Sequence, residues 1–331
     1  MEQTIPVVDL DDFRSQDLAL RTAFVQKLGD ALVEFGFVAI ENHRVDSDLL
    51  GETYASMKSV FSLAPTIKAK YEDRRIGRQR GYTPFGKEKA KGTDEADLKE
   101  FWHVGPELLS TDSSSTRIPA NIWPDEVPAF KKHSMALWND LHACGHSVLR
   151  AIALYLQAPE ETFDHMIQGG NTVLRMIRYP EPEEFGDGEW AAAHEDINLI
   201  TLLVEASAPG LELQRRDGSW LPIQPIPGQL ILDTGDMMQR LTNGLMPATT
   251  HRVVASGDTC GVRYSLPFFM HPHPDVSLAP LPSCLTDNEG PRWPVQTAEE
   301  YLAERLRENG VLTVDVDVDW LAGKTIDDDV E

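Results

Sequence analysis

The sequence predicts a mainly β protein with flanking helices, in which a helical N-terminal half packs on a β-sandwich or barrel of roughly residues 170–275. Before residue 160, apolar residues recur at helical spacing over long stretches. After Gly169-Gly170 the chain changes to short β-rich runs separated by glycine, proline, asparagine and aspartate, which is typical of sandwiches and barrels. No linker or internal repeat divides the halves, so we expect one structural unit.

The N-terminal half alternates strands and helices. The predicted elements are a strand at 5–10, a helix at 17–35, a strand at 37–42, a helix at about 46–71 and a long helix at about 126–157. The first helix should end at Gly36, since glycine favours the position after a helix, and Pro65 should break the second. Residues 73–97 are basic, then mixed and glycine-containing, which predicts a long and functional loop.

The C-terminal half supplies the sheet. Its β-rich runs are TVLRMIRY, INLITLLVEA, LELQRR, WLPIQP, QLILDTG, HRVVAS and RYSLPFFM. A helix is predicted near residues 297–308, and an acidic tail follows it.

Composition limits the partners. The net charge of −23 argues against nucleic acid and anionic membranes, which bind basic surfaces. No apolar run reaches the length needed to cross a bilayer, and the N-terminus shows no secretory signal pattern. The three cysteines are irregularly spaced and predict the reduced thiols of a cytoplasmic protein. The net charge says little about a small-molecule substrate, because one buried arginine can bind an anion inside an acidic protein. The oligomeric state is left open.

A candidate metal site begins at HEDINLIT, residues 194–201. On a strand, His194 and Asp196 share a face, and Glu195 points away. His251 opens a later β-rich run and could supply a third ligand. Two histidines and one carboxylate leave three metal positions open, the arrangement found in non-haem iron(II) oxygenases. The alternative for this pair alone is a polar strand end at the surface.

A second pair lies one predicted strand beyond His251. Arg263 and Ser265 are two residues apart and would share a strand face. A guanidinium and a hydroxyl on one inward face can bind a carboxylate by charge-assisted hydrogen bonds. The alternative is that Arg263 forms a structural ion pair with one of the many acidic groups.

In combination, these motifs resemble the iron(II)- and 2-oxoglutarate-dependent dioxygenases of the isopenicillin N synthase-like superfamily. The similarity extends over most of the chain, through IPVVDL, EFGFVAIENH, RGYTPFG, YPEPEE and LTNGLMPATTHRVV. It implies a distorted double-stranded β-helix, or jelly-roll, core with a helical N-terminal region. The implied segments are an N-terminal region (1–120), a supporting helix (121–170), the jelly-roll core (171–280) and a C-terminal helix with tail (281–331).

The resemblance also implies roles for the site residues. His194, Asp196 and His251 would bind iron, and Arg263, Ser265 and Tyr179 would bind 2-oxoglutarate. The implied reaction uses Fe(II), 2-oxoglutarate and O2 to hydroxylate, desaturate or cyclise a small molecule, with release of succinate and CO2. Two alternatives stay open: an isopenicillin N synthase-like oxidase or cyclase that needs no 2-oxoglutarate, and a jelly-roll binding protein without catalysis.

Substrate contacts are expected from the loop after residue 73 and the strands beside it. The candidates are Arg80, Tyr82, Phe101 and Arg175. Their basic and aromatic character would suit an anionic or ring-bearing small molecule. The alternative is a basic surface loop that balances an acidic body.

Overall fold

The computed structural model describes residues 5–88, 97–108, 117–181, 190–204, 206–224, 226–255, 261–286 and 289–309. The helices in these ranges are α1 (Leu10–Arg14), α2 (Leu18–Phe35), α3 (Ser47–Phe61), α4 (Pro65–Lys68), α5 (Pro128–Tyr155), α6 (Thr162–Ile167), α7 (Asp236–Leu241) and α8 (Ala298–Glu308). Short 3-10 helices span Ala69–Tyr71 and Pro282–Cys284. None of the described helices is both long enough and apolar enough to cross a bilayer.

The strands form two sheets. They are β1 (Val7–Asp9), β2 (Phe37–Glu41), β3 (Gly81–Thr83), β4 (Glu100–Val104), β5 (Val173–Tyr179), β6 (Ala191–His194), β7 (Ile200–Leu203), β8 (Leu211–Gln214), β9 (Trp220–Pro222), β10 (Leu230–Thr234), β11 (His251–Val253), β12 (Arg263–Ser265) and β13 (Pro267–Met270). The larger sheet has the order β1-β2-β10-β7-β13-β5-β4-β3, with β12 also paired to β5. The smaller sheet has the order β6-β11-β8-β9.

The two sheets pack face to face. Phe37 and Ile231 of the larger sheet share an apolar cluster with Leu211, Leu213 and Leu221 of the smaller one. These side chains interdigitate because residues two apart on a strand point to the same face. The inner faces of the two sheets therefore share an apolar interior.

Helices cover the opposite face of the larger sheet. Trp138 of α5 packs edge to face on Phe268 of β13, with ring centres 5.6 Å apart. Gly145 allows this close approach, because a Cβ there would lie 2.0 Å from Sδ of Met270. Leu202 of β7 belongs to this helical core, and its neighbour Leu203 packs toward the smaller sheet. A β-core with a helical N-terminal region is thus confirmed.

Helix boundaries follow the predicted signals. The Asp17 carboxylate accepts a hydrogen bond from the backbone N–H of Ala19 and caps α2. Gly36, with φ +66°, follows the last residue of this helix. The predicted break at Pro65 separates α3 from α4. Strand β1 is shorter than predicted, because Asp9 caps α1 directly after it.

Several short elements were not predicted. They are α1, β3, β4, α6 and α7. Strand β4 (EFWHV) lacks an alternating pattern, yet all five of its residues are buried, because β3 and β5 flank it on both sides. The expected loop at 73–97 therefore contains a strand, and its residues 89–96 lie outside the described ranges, as does the acidic tail from residue 310.

Candidate active site

Three side chains converge at the open end of the smaller sheet. His194 ends β6 and lies directly opposite His251 of β11 in the antiparallel register. The Nε2 atom of each histidine lies 3.8 Å from Oδ1 of Asp196. The ligand atoms of the three residues all lie within 4.8 Å of one another, a separation that one metal ion can bridge.

Both imidazoles direct their Nε2 atom toward Asp196. The Nδ1 atom of His194 is 2.8 Å from the carbonyl oxygen of Ala192, and Nδ1 of His251 is 3.2 Å from that of Thr249. Because a carbonyl can only accept, each Nδ1 carries the proton and each Nε2 keeps its lone pair for a metal. Burial, and secondarily His251, lowers the pKa of His194 to about 4, which keeps its imidazole neutral at physiological pH.

Asp196 reaches the site by a turn. We predicted a strand through HEDINLIT, but β6 ends at His194 and β7 starts only at Ile200. The turn is held by backbone bonds to the start of α7, where the N–H of Asp236 donates to the carbonyl of Asp196 at 2.8 Å. Gly235 permits this contact, because a Cβ there would lie 2.4 Å from Oδ1 of Asn198.

Two further residues orient the Asp196 carboxylate. The Thr201 hydroxyl donates to Oδ2 of Asp196. The Asn198 amide donates in turn to the Thr201 hydroxyl at 2.8 Å. Since a carboxylate only accepts, the direction of both hydrogen bonds is fixed. Oδ1 is thereby left facing the histidines. Both residues lie within HEDINLIT, but neither was predicted from the sequence to belong to the site.

Arg263, Ser265 and Tyr179 lie together between the sheets. Arg263 of β12 is directly opposite Tyr179 of β5, and its guanidinium carbon lies 5.0 Å from the tyrosine ring centre. The Nε of Arg263 donates to the carbonyls of Ala208 and Pro209, at 3.1 and 3.2 Å. Its Nη1 is buried and has no hydrogen-bond partner among the described residues.

A cavity of about 60 Å³ connects the two groups. It is lined by Arg263, Ser265 and Tyr179 at one end and by His194, Asp196 and His251 at the other. An unpaired buried guanidinium N–H is costly and requires an acceptor. The donors therefore suit an anion that extends from Arg263 toward the three converging side chains, as a dicarboxylate would.

Asp233 borders the same cavity. It lies on β10, opposite Thr201 of β7, and is almost completely buried. Burial, and secondarily the Asp196 charge, raises the pKa of Asp233 well above its ordinary value. Ionisation of Asp233 is therefore less favourable than that of an exposed aspartate.

A larger cavity of about 110 Å³ lies on the other side of His194 and Asp196. Phe101 and Arg175, two of the four expected substrate residues, line it. Leu302 and Leu306 of α8 form part of its wall, so the C-terminal helix encloses the site. Lys99, Glu88 and His103 also line this cavity, with Thr83 and His271.

The structure does not bring Arg80 and Tyr82 to this cavity, contrary to our expectation. Arg80 is completely buried and donates to Oδ1 of Asn171 at 2.6 Å. The Tyr82 hydroxyl donates to Glu100 at 2.5 Å, on the side of β3 that faces the helical core. Side chains alternate along β3, so Thr83 faces the cavity and Tyr82 faces away from it.

Comparisons with known proteins agree with this geometry. Residues 5–126 match the family described as non-haem dioxygenase in morphine synthesis N-terminal, and residues 170–272 match the 2OG-Fe(II) oxygenase superfamily. A 2-oxoglutarate-Fe(II) type oxidoreductase of Aspergillus fumigatus is 30% identical over 316 residues, which cover 92% of this chain and 93% of that protein.

Solved structures show the same fold. A putative 2OG-Fe(II) oxygenase family protein from Caulobacter crescentus is 40% identical, with a TM-score of 0.82 and coverage of 92% of this chain and 98% of that one. A full-length Neurospora crassa protein, solved in complex with alpha-KG, is 24% identical, with a TM-score of 0.81 and coverage of 92% and 95%. The predicted jelly-roll fold is confirmed, and neither the oxidase nor the binding-protein alternative is favoured. The chain therefore belongs to the 2OG-Fe(II) oxygenase superfamily, as a dioxygenase that uses Fe(II), 2-oxoglutarate and O2 to oxidise a small molecule.

Proposed function

We propose that His194, Asp196 and His251 hold the Fe(II) of this dioxygenase. The observation that carries the proposal is the convergence of two Nε2 atoms and one carboxylate oxygen where two cavities meet. Each imidazole is held by a backbone carbonyl, and the carboxylate is held by Thr201. Such partners behind the ligands fix the geometry of a metal site.

We also propose that 2-oxoglutarate occupies the smaller cavity. Arg263 and Ser265 would bind its distal carboxylate, with Tyr179 beside them. The unpaired Nη1 of buried Arg263 supports this assignment, because it requires an acceptor that the described residues do not supply. The keto-acid end would then lie near His194 and Asp196, which border the same cavity.

The chain's own contribution to the reaction is positioning and exclusion of water. When bound, Fe(II) would supply the activation of O2 that turns 2-oxoglutarate into succinate and CO2. The two sheets would shield the keto acid, and the larger cavity would hold the substrate next to the metal ligands. Hydroxylation, desaturation and ring closure are the oxidations compatible with this arrangement.

From the sequence we also propose which partners the protein does not bind, where it is located and how its chain divides into segments. The net charge of −23 supports a protein that binds neither nucleic acid nor anionic membranes, and cytoplasmic location remains a prediction. The division into residues 1–120, 121–170, 171–280 and 281–331 remains a proposal too.

A binding experiment tests the metal assignment. Anaerobic protein is titrated with Fe(II) and 2-oxoglutarate, and the weak visible charge-transfer band of the complex is recorded together with succinate formation. His251→Ala should abolish both signals, because it removes one of three ligands, and should leave the thermal unfolding temperature nearly unchanged. His273→Ala is the matched control, since His273 and Asp275 form another His-x-Asp pair and His273 does not line either cavity. Normal turnover in His251→Ala would remove the metal assignment.

A further inference from the structure

Among the described residues that line the larger cavity, four charged side chains pair with one another, and the charges of these four sum to zero. Glu88 accepts two hydrogen bonds from the Arg175 guanidinium, at 3.0 and 3.2 Å. Lys99 lies between both carboxylates, with Nζ 2.7 Å from Glu88 and 2.8 Å from Asp97. We call Arg175, Lys99, Glu88 and Asp97 the charge-balanced cluster.

The cluster is buried, so water screens its charges poorly. The side chains of Lys99 and Asp97 are 7% and 5% exposed. Although burial alone would lower it, Glu88 and Asp97 raise the pKa of Lys99 above its ordinary value. Removal of one partner from such a network leaves an uncompensated buried charge, which is strongly unfavourable.

The cluster is fixed close to the metal ligands. The second oxygen of Asp97 accepts a hydrogen bond from the backbone N–H of Ala192 on β6, the strand that ends at His194. The guanidinium of Arg175 lies 4.4 Å from the ring centre of Phe101 and 5.2 Å from that of Phe269. These contacts hold both cations in place and leave them neutralised.

Three further polar side chains that line the cavity, His271, His103 and Thr83, are uncharged. Burial lowers the pKa of His271 to about 4, and its Nδ1 donates to the Phe269 carbonyl, so its Nε2 can only accept. Burial, and then Arg175, lowers the pKa of His103 well below its ordinary value. The buried Thr83 hydroxyl has no hydrogen-bond partner among the described residues.

We propose that Glu88 determines the charge selectivity of the cavity, so that the substrate is an uncharged molecule with an apolar or ring body and N–H or O–H groups. An anion beside the cluster would lie next to Glu88 and Asp97, and both cations of the cluster are already neutralised. Of the other described cations that line the cavity, Arg78 is paired with Glu72 and Lys87 is exposed to solvent, which screens its charge. An uncharged ligand can donate to His271 or Thr83 and leave the ion pairs intact. This inference replaces the expectation of an anionic substrate, and it rests on the proposed function, which assigns this cavity to the substrate.

Two probes of nearly identical shape, benzamide and benzoate, test the inference. Binding is measured calorimetrically at neutral pH on protein loaded with Mn(II) and saturating 2-oxoglutarate, which keeps benzoate from Arg263. Wild type should bind benzoate at least about tenfold more weakly than benzamide. Glu88→Gln gives the cluster one net positive charge and should raise benzoate affinity about tenfold or more, as a hydrogen bond to a charged group would. Unchanged benzoate affinity in Glu88→Gln overturns the inference, and so does wild-type protein that binds both probes equally.

Two variants show whether charge is the cause. Glu88→Gln combined with Lys99→Met returns the cluster to zero charge and should lose the gain in benzoate affinity, and a retained gain would contradict the inference. Glu212→Gln removes a carboxylate that is paired with Arg252 away from the cavity, and it should leave the probe preference unchanged within about twofold.

If Glu88→Gln does not fold, Asp97→Asn makes the same change in charge. Protein that fails to bind iron and 2-oxoglutarate refutes the proposed function, whereas protein that binds both without the benzoate gain refutes only this inference.

Discussion

Replacement of Thr201 with valine should weaken Fe(II) binding, because it removes the hydrogen bond that orients Asp196. Valine keeps the β-branched shape of threonine and loses only the hydroxyl. In the wild type that hydroxyl donates to Oδ2 of Asp196 and accepts from Asn198. The variant therefore frees the carboxylate to rotate and leaves the buried Asn198 amide without its acceptor.

The magnitude follows from the type of bond. A hydrogen bond to a charged group contributes about 1.5–3 kcal/mol, and loss of a partner behind a metal ligand lowers metal affinity about 10–100-fold. Because Asn198, Thr201 and Asp196 are already bonded before metal binds, part of the loss should appear as reduced unfolding free energy. We therefore expect a fall in Fe(II) affinity of about tenfold, near the lower end of that range.

The assay is anaerobic Fe(II) titration of wild type, Thr201→Val and Thr201→Ser. Thr201→Ser keeps the hydroxyl and should retain affinity within about twofold. Thermal unfolding without metal measures the structural part of the effect separately. Equal Fe(II) affinity in wild type and Thr201→Val would refute the claim that Thr201 positions Asp196, and so would equal losses in both variants.

Three other changes give distinct results. Arg263→Leu should raise the KM for 2-oxoglutarate about 10–100-fold, because it removes the charge-assisted hydrogen bonds to the distal carboxylate. Succinate formation measures this KM, and an unchanged value would argue that Arg263 does not bind 2-oxoglutarate. Burial raises the pKa of Glu88, but Arg175 and Lys99 outweigh it and hold that pKa far below the ordinary 4.5. The difference in unfolding free energy between wild type and Glu88→Gln should therefore be fully present above about pH 4.5 and should shrink at lower pH. Urea unfolding at several pH values measures it. A difference that grows as the pH falls would contradict the ion pairing. Gly235→Ala should lower the unfolding free energy by about 1–3 kcal/mol and weaken metal binding, because its Cβ would overlap Asn198. Gly51→Ala, in open space on α3, should be neutral or stabilising, and equal losses in both alanine variants would exclude that overlap as the cause.

Local signals in the sequence were sufficient for much of the fold. Helices α2, α3 and α5 follow apolar spacing, with a capping aspartate, a terminal glycine or an interrupting proline at their ends. These features act within a few residues of one another, so a single chain reveals them. Strand β4 was missed because its burial comes from β3 and β5, which are distant in sequence.

The candidate site, too, was predicted only in part from the sequence. Residue types and spacing in the sequence determined the candidate metal residues His194, Asp196 and His251 and the candidate carboxylate pair Arg263 and Ser265, because two-residue spacing and a resemblance to a family are visible along one chain. Only the tertiary structure decided which basic residues could face a substrate. Arg175 forms an ion pair with Glu88, 87 residues away, and Arg80 turns into the protein interior. Such pairings depend on which strands become neighbours, and no local pattern encodes the sum of charges that a cavity encloses.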